Sequence, residues 1–128
     1  MPSHPSNSPH KRLRAYELAQ DLACRVRLQT SSLPPGHADL RDQANRSSHA
    51  VVRNVTEGAN RWTPADKIAR FNIAKGELGE CEACLETMRR LEFLAADVHE
   101  ALEALANELG AVLAGLIRAQ QRRAGGGT

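Results

Sequence analysis

Apolar residues recur along the chain at helical spacing in four segments, and no segment sustains the alternation of a strand. In the first, Ala15, Leu18, Leu22 and Val26 form a stripe with Ala19 and Leu28 beside it, until Leu33-Pro34-Pro35-Gly36 forces a break. In the second, Leu40, Ala44, Ser47, Val51 and Val55 share a small-sided stripe, and Gly58 stands where a left-handed terminator would end the helix. Thr63-Pro64-Ala65-Asp66 reads as a helix start, with Thr63 as N-cap, Pro64 at the first helical position and an acid three residues after the cap. Phe71, Ala74, Leu78, Cys81, Leu85 and Met88 then follow without interruption, and Gly76 and Gly79 make a flat strip beside them. Glycine inside a helix costs about 1 kcal/mol relative to Ala, so the strip predicts close packing or a function. After a turn near Phe93 to Ala96, Asp97 is placed to cap a last helix, with Glu100 three residues on and a stripe of Val98, Leu102, Leu105, Leu109, Val112 and Leu116. Four amphipathic helices joined by short loops predict an all-α, antiparallel up-down-up-down four-helix bundle over residues 12–121. A Pro- and Ser-rich disordered tail is expected at 1–11 and a flexible, basic, Gly-rich tail at 122–128.

A chain of 128 residues buries enough surface for one core and hardly for two. Its 17 Lys and Arg against 15 Asp and Glu exclude a strongly basic, histone-like chain, so any nucleic-acid affinity must come from a local patch. Three cysteines are an odd number and lie in helical stretches, which points to a reducing compartment and a cytoplasmic location. Met1 to His10 has no apolar run that could act as a signal-peptide core. The most apolar stretch, Ala101 to Ile117, is interrupted by Glu103 and Glu108, whereas a bilayer span needs about 20 apolar residues; no membrane association is expected.

Several spaced motifs run through the helical part: Leu13-x-x-Tyr16-x-x-Ala19-x-x-Leu22, Leu40-x-x-Gln43-x-x-Arg46, Asn54-x-x-Glu57-Gly58-x-x-Arg61, and Arg70-Phe71-x-Ile73-Ala74-Lys75-Gly76-x-Leu78-x-Glu80. Together they resemble the bacterial four-helix-bundle proteins first recognised as reading frames inside intervening sequences of 23S ribosomal RNA genes. That family is similar to the accessory protein of diversity-generating retroelements, which partners a reverse transcriptase. The resemblance covers Leu13 to about Leu94, with the last helix matching by pattern alone. Ala50 stands where the family usually has Ser, Val52 where a Pro is common, and Gly76-Glu77 where the family has Gly-Ser. The resemblance implies a homopentamer with a basic surface, no enzymatic activity, and RNA or DNA, a reverse transcriptase or another protein as partner. It also implies structural roles for Asn54, Glu57, Gly58, Gly76 and Glu80.

Charge is unevenly distributed. Up to Lys75 the chain has 12 Lys and Arg against 6 acids, and from Gly76 to Ile117 it has 2 against 9. Lys67, Arg70 and Lys75 crowd the opening turns of the third helix, where the macrodipole disfavours cations. With Arg46, Arg53 and Arg61 they make a candidate phosphate-binding patch, and Trp62 is a candidate for stacking on a base. The bland alternatives are a solvated face paired with acids across a subunit boundary, and a Trp packed on the bundle or a neighbour.

Glu57 and Glu80 have nearby arginines, Arg61 one turn from Glu57 and Arg46 opposite Glu80, so ion pairing is expected rather than acid-base work. Asn54 is expected to hydrogen-bond an adjacent backbone segment. Cys81-x-x-Cys84 lies mid-helix, unlike redox motifs at helix starts, and lacks a second pair of zinc ligands; both thiols, and Cys24, are expected in the core or an interface. No phosphate loop, nucleophile elbow or triad is visible, so the chain is expected to be a non-enzyme without cofactor or metal. Two functions remain: a nucleic-acid-binding or enzyme-accessory oligomer, and a structural or protein-interaction bundle without a nucleic-acid role.

Overall fold

The computed structural model describes His10 and residues 13–126; the rest of the two expected tails lies outside the described residues. Four helices follow one another, α1 (Arg14–Thr30), α2 (Ala38–Asn60), α3 (Pro64–Arg90) and α4 (Ala96–Gly126), and no strand occurs among the described residues. Each helix packs on the next and α4 closes on α1, the cyclic order of an antiparallel four-helix bundle; α2 and α3 pack together most extensively. The α1–α4 side adds an ion pair between Arg14 and Glu108. α4 runs past residue 121, where the sequence predicts the Gly-rich tail to begin, so Arg122 and Arg123 are helical.

Local caps explain both ends of α3. Thr63 is extended, and its hydroxyl oxygen accepts a 3.1 Å hydrogen bond from the Asp66 amide, satisfying one orphan donor at the start of α3. Asp97 does not cap α4: the helix already begins at Ala96, and the Ala95 carbonyl accepts from the His99 amide. The carboxylate lies in the first turn, where it still favours the positive end of the dipole. At the end of α3, Glu92 sits at φ 64°, the Phe93 amide donates to the Met88 carbonyl and the Glu92 amide to that of Arg89. That is a Schellman ending with glutamate in the place glycine usually takes.

The core is built from Leu22 and Val26, Val51 and Val55, Phe71, Leu78, Leu85 and Met88, and Leu102, Leu109 and Leu113, all at most 3% exposed. On α4 the seam passes to Leu113 and Ile117, while Val112 and Leu116 are half-buried. A strict seven-residue repeat drifts by about 20° per heptad on a straight α-helix, which moves the buried line by one residue near its end. Leu28, read beside the α1 stripe, is 69% exposed. Gly58 terminates nothing, because α2 continues to Asn60. A Cβ at Gly58 would lie 2.6 Å from Phe71 Cε1, so the glycine is where the Phe71 ring presses against α2. Asn54 is buried, and its side-chain amide donates at 2.8 Å to the Ala50 carbonyl of its own helix, not to an adjacent segment.

Candidate nucleic-acid interface

The antiparallel order brings the end of α2, the start of α3 and the end of α4 to one end of the bundle. There Lys67 Nζ donates to the Ala59 carbonyl at 2.8 Å and to that of Gly58 at 3.3 Å. Those carbonyls belong to the last turn of α2, which has orphan acceptors and a negative dipole end. Lys67, unfavourable at the start of its own helix, therefore caps its neighbour. Burial and then the nearby Arg123 cation push its pKa below the ordinary lysine value. Beside it, one Glu57 carboxylate takes Arg70 at 3.0 Å and Arg61 at 3.5 Å. Two cations on one anion leave a net positive charge at this corner.

Farther along the α2–α3 face, Arg46 reaches Glu77 at 3.2 Å and Glu80 at 3.3 Å, and its Nε donates to Gln43. The Glu80 partner was expected; Glu77 was not, and it stands at the position where the sequence departs from the family pattern. The neighbouring Glu80 carboxyl and then the Arg46 guanidinium hold Glu77 below the ordinary carboxylate range, with Arg53 adding a favourable field. Arg53 and Lys75 are exposed and form no ion pair among the described residues. The candidate patch thus divides. Arg61, Lys67 and Arg70 gather at the end, whereas Arg46 and Arg53 lie along α2 and Lys75 along α3.

Gly76 and Gly79 have nothing within 4 Å of an added Cβ, so the flat strip faces outward and no close packing within the subunit explains it. Trp62 is 94% exposed in the α2–α3 connection and does not pack on its own bundle. Cys81 is fully buried, and burial pushes its thiol up to about 12. Cys84 is buried too, but Cys24, expected beside them in the core or an interface, is exposed. Among the described residues no three His, Cys, Asp or Glu side chains gather in a way that could hold a metal ion, and no helix is long and apolar enough to cross a membrane.

The contribution of α4 is not visible in the linear sequence. Arg118, Arg122 and Arg123 look like the usual cations of a helix C-terminus, yet the fold sets them at the same end as Lys67. The signal was topological, since in an up-down bundle the fourth helix must finish where the third begins. Counting residues 14–17, 57–70 and 118–123, this end carries Arg14, Arg61, Lys67, Arg70, Arg118, Arg122 and Arg123 against Glu17, Glu57 and Asp66. The opposite end, residues 25–42 and 86–100, has 5 Lys and Arg against 6 acids, so the polarity of the bundle runs along its axis.

The 23S rRNA-intervening sequence protein family model matches residues 11–115. Comparison with curated proteins finds no match. Among solved structures, the chain is similar to a protein of unknown function from the S23 ribosomal protein family of Bacteroides thetaiotaomicron. The two are 24% identical with a TM-score of 0.75, over 81% of this chain and 95% of that one. At that identity the likeness establishes the fold, and the motifs from Leu13 to Leu94 fall inside the matched range. With its helices, its spacing and its extent all in agreement, the chain belongs to the 23S rRNA-intervening sequence protein family.

Proposed function

We propose that this chain is a non-enzymatic, homo-oligomeric bundle of the cytoplasm that binds nucleic acid through its basic end and serves as accessory to a nucleic-acid enzyme. The observation that carries this reading is the gathering of seven cations against three carboxylates at one end, with Trp62 exposed among them. Phosphate backbones are recognised by such repeated, weakly compensated cations, and a ring of subunits would multiply modest affinities through effective concentration. The non-enzymatic part is supported by the state of the side chains that could do chemistry. Glu57 and Glu80 are each engaged by arginine, and the Cys81 thiol stays protonated in the core. The resemblance adds a pentamer as the assembly and a reverse transcriptase as the kind of enzyme assisted.

Assembly is favoured by a second observation, the open Gly76/Gly79 face of α3, which lets another helix approach closely. If the basic end served only to meet an acidic protein, the chain would be an interaction bundle instead. A binding titration with RNA and DNA across a salt series separates the two. The reading expects affinity for both that falls steeply as salt rises; no retention at low salt selects the interaction bundle.

A further inference from the structure

Trp62 deepens the nucleic-acid reading, on which the following rests. Its indole is 94% exposed, follows Arg61 directly and precedes the Thr63 cap of α3. The end of α2 and the cap of α3 fix the connection on both sides, so the indole projects from a short, anchored corner. Cations outnumber acids around it: Arg61, Lys67 and Arg70 stand in the same corner against Glu57 and Asp66, and Arg123 is close enough to act on Lys67. We infer that Trp62 is a stacking platform, and that the basic end takes single-stranded nucleic acid in preference to duplex.

The class of ligand follows from what each group can recognise. Cations hold a phosphate backbone of either form, but an indole face gains a partner only where a base face is open, in a single strand, a loop or a frayed end. Duplex bases are already stacked on one another, and an indole has a single N–H donor with which to read a groove edge. A polyanion without bases would satisfy the cations and leave the indole face unmatched. Stacking is indifferent to sequence because every base has a face, so the preference is for strandedness.

Trp62 is the one tryptophan in the sequence, so its fluorescence reports this site in the intact protein. The probes are an oligothymidylate of about 16 nucleotides, the upper site size of one OB-fold single-strand binder, a DNA duplex of the same length, and polyglutamate as a polyanion without bases. The expected result is strong quenching by oligothymidylate and little by the duplex or polyglutamate. Trp62→Ala should weaken oligothymidylate binding about tenfold or more while leaving duplex binding and the helical spectrum unchanged, and Trp62→Phe should restore most of the loss. Unchanged oligothymidylate affinity in Trp62→Ala, or equal quenching by all three polyanions, overturns the stacking role while leaving the basic end intact. Absence of binding to every nucleic acid at low salt overturns this inference and the underlying reading together.

Discussion

At the residue scale the informative side chains are those whose environment differs from what their sequence position suggests. Lys67 stands against its own helix dipole because it caps the helix beside it, a relation no periodicity reveals because it depends on which ends meet. Gly58 was legible as a special position but for the wrong reason: its missing Cβ admits Phe71. Gly58→Ala should lower stability, since overpacking against an aromatic ring costs about 1–3 kcal/mol, against a helix-propensity gain of about 1 kcal/mol; a thermal melt reads the sign. The thiols give a second prediction. Cys24 is exposed, whereas Cys81 is fully buried with its thiol near 12 and Cys84 is buried with its thiol also raised. Thiol reagents should label Cys24 alone in the native protein and all three in denaturant. A raised thiol pKa keeps the unreactive protonated form as pH rises, so Cys81 should stay unlabelled in the folded state at every pH well below about 12.

At the scale of elements, much was legible. Thr63-Pro64-Ala65-Asp66 fixes the start of α3 because a hydroxyl, a locked φ and an acid each act locally. The break after α1 is likewise local, with Pro34 and Pro35 leading to Gly36 at φ 96°. What was not legible depends on neighbours. The drift of the α4 seam from Val112 to Leu113 is a matter of which side meets the core, and Leu113→Ala should cost about 2–5 kcal/mol, well above Val112→Ala, in denaturant unfolding. The outward glycines of α3 make a sharper case. On an isolated bundle, Gly76→Ala and Gly79→Ala would each stabilise by up to about 1 kcal/mol, having nothing to strike. If that face joins subunits, the same substitutions should shift the assembly toward smaller species in light scattering and forfeit the gain. A more stable variant with unchanged assembly would free the strip of any role in self-association.

At the scale of the whole molecule, the chain's small net charge of +2 conceals a polarity that only the fold assembles. The linear patch contained cations already engaged, Arg46 by Glu77 and Glu80, and Lys67 by the end of α2. It omitted Arg118, Arg122 and Arg123, which the return of α4 delivers to the same end. Lys67→Glu would break a helix cap, so a charge reversal there confuses folding with binding. The α4 arginines are exposed on the last turns of the helix and cap nothing, so reversing them costs only a dipole contribution of about 0.3–1 kcal/mol each, checked by the helical spectrum. The decisive experiment is therefore the salt dependence of duplex DNA affinity for the parent and for the variant Arg118→Glu, Arg122→Glu, Arg123→Glu. If the basic end holds phosphates, the variant binds more weakly, and its log affinity falls less steeply with log salt, by roughly 0.9 for each phosphate it no longer neutralises. Equal affinities and equal slopes in the two proteins would show that nucleic acid does not bind at this end.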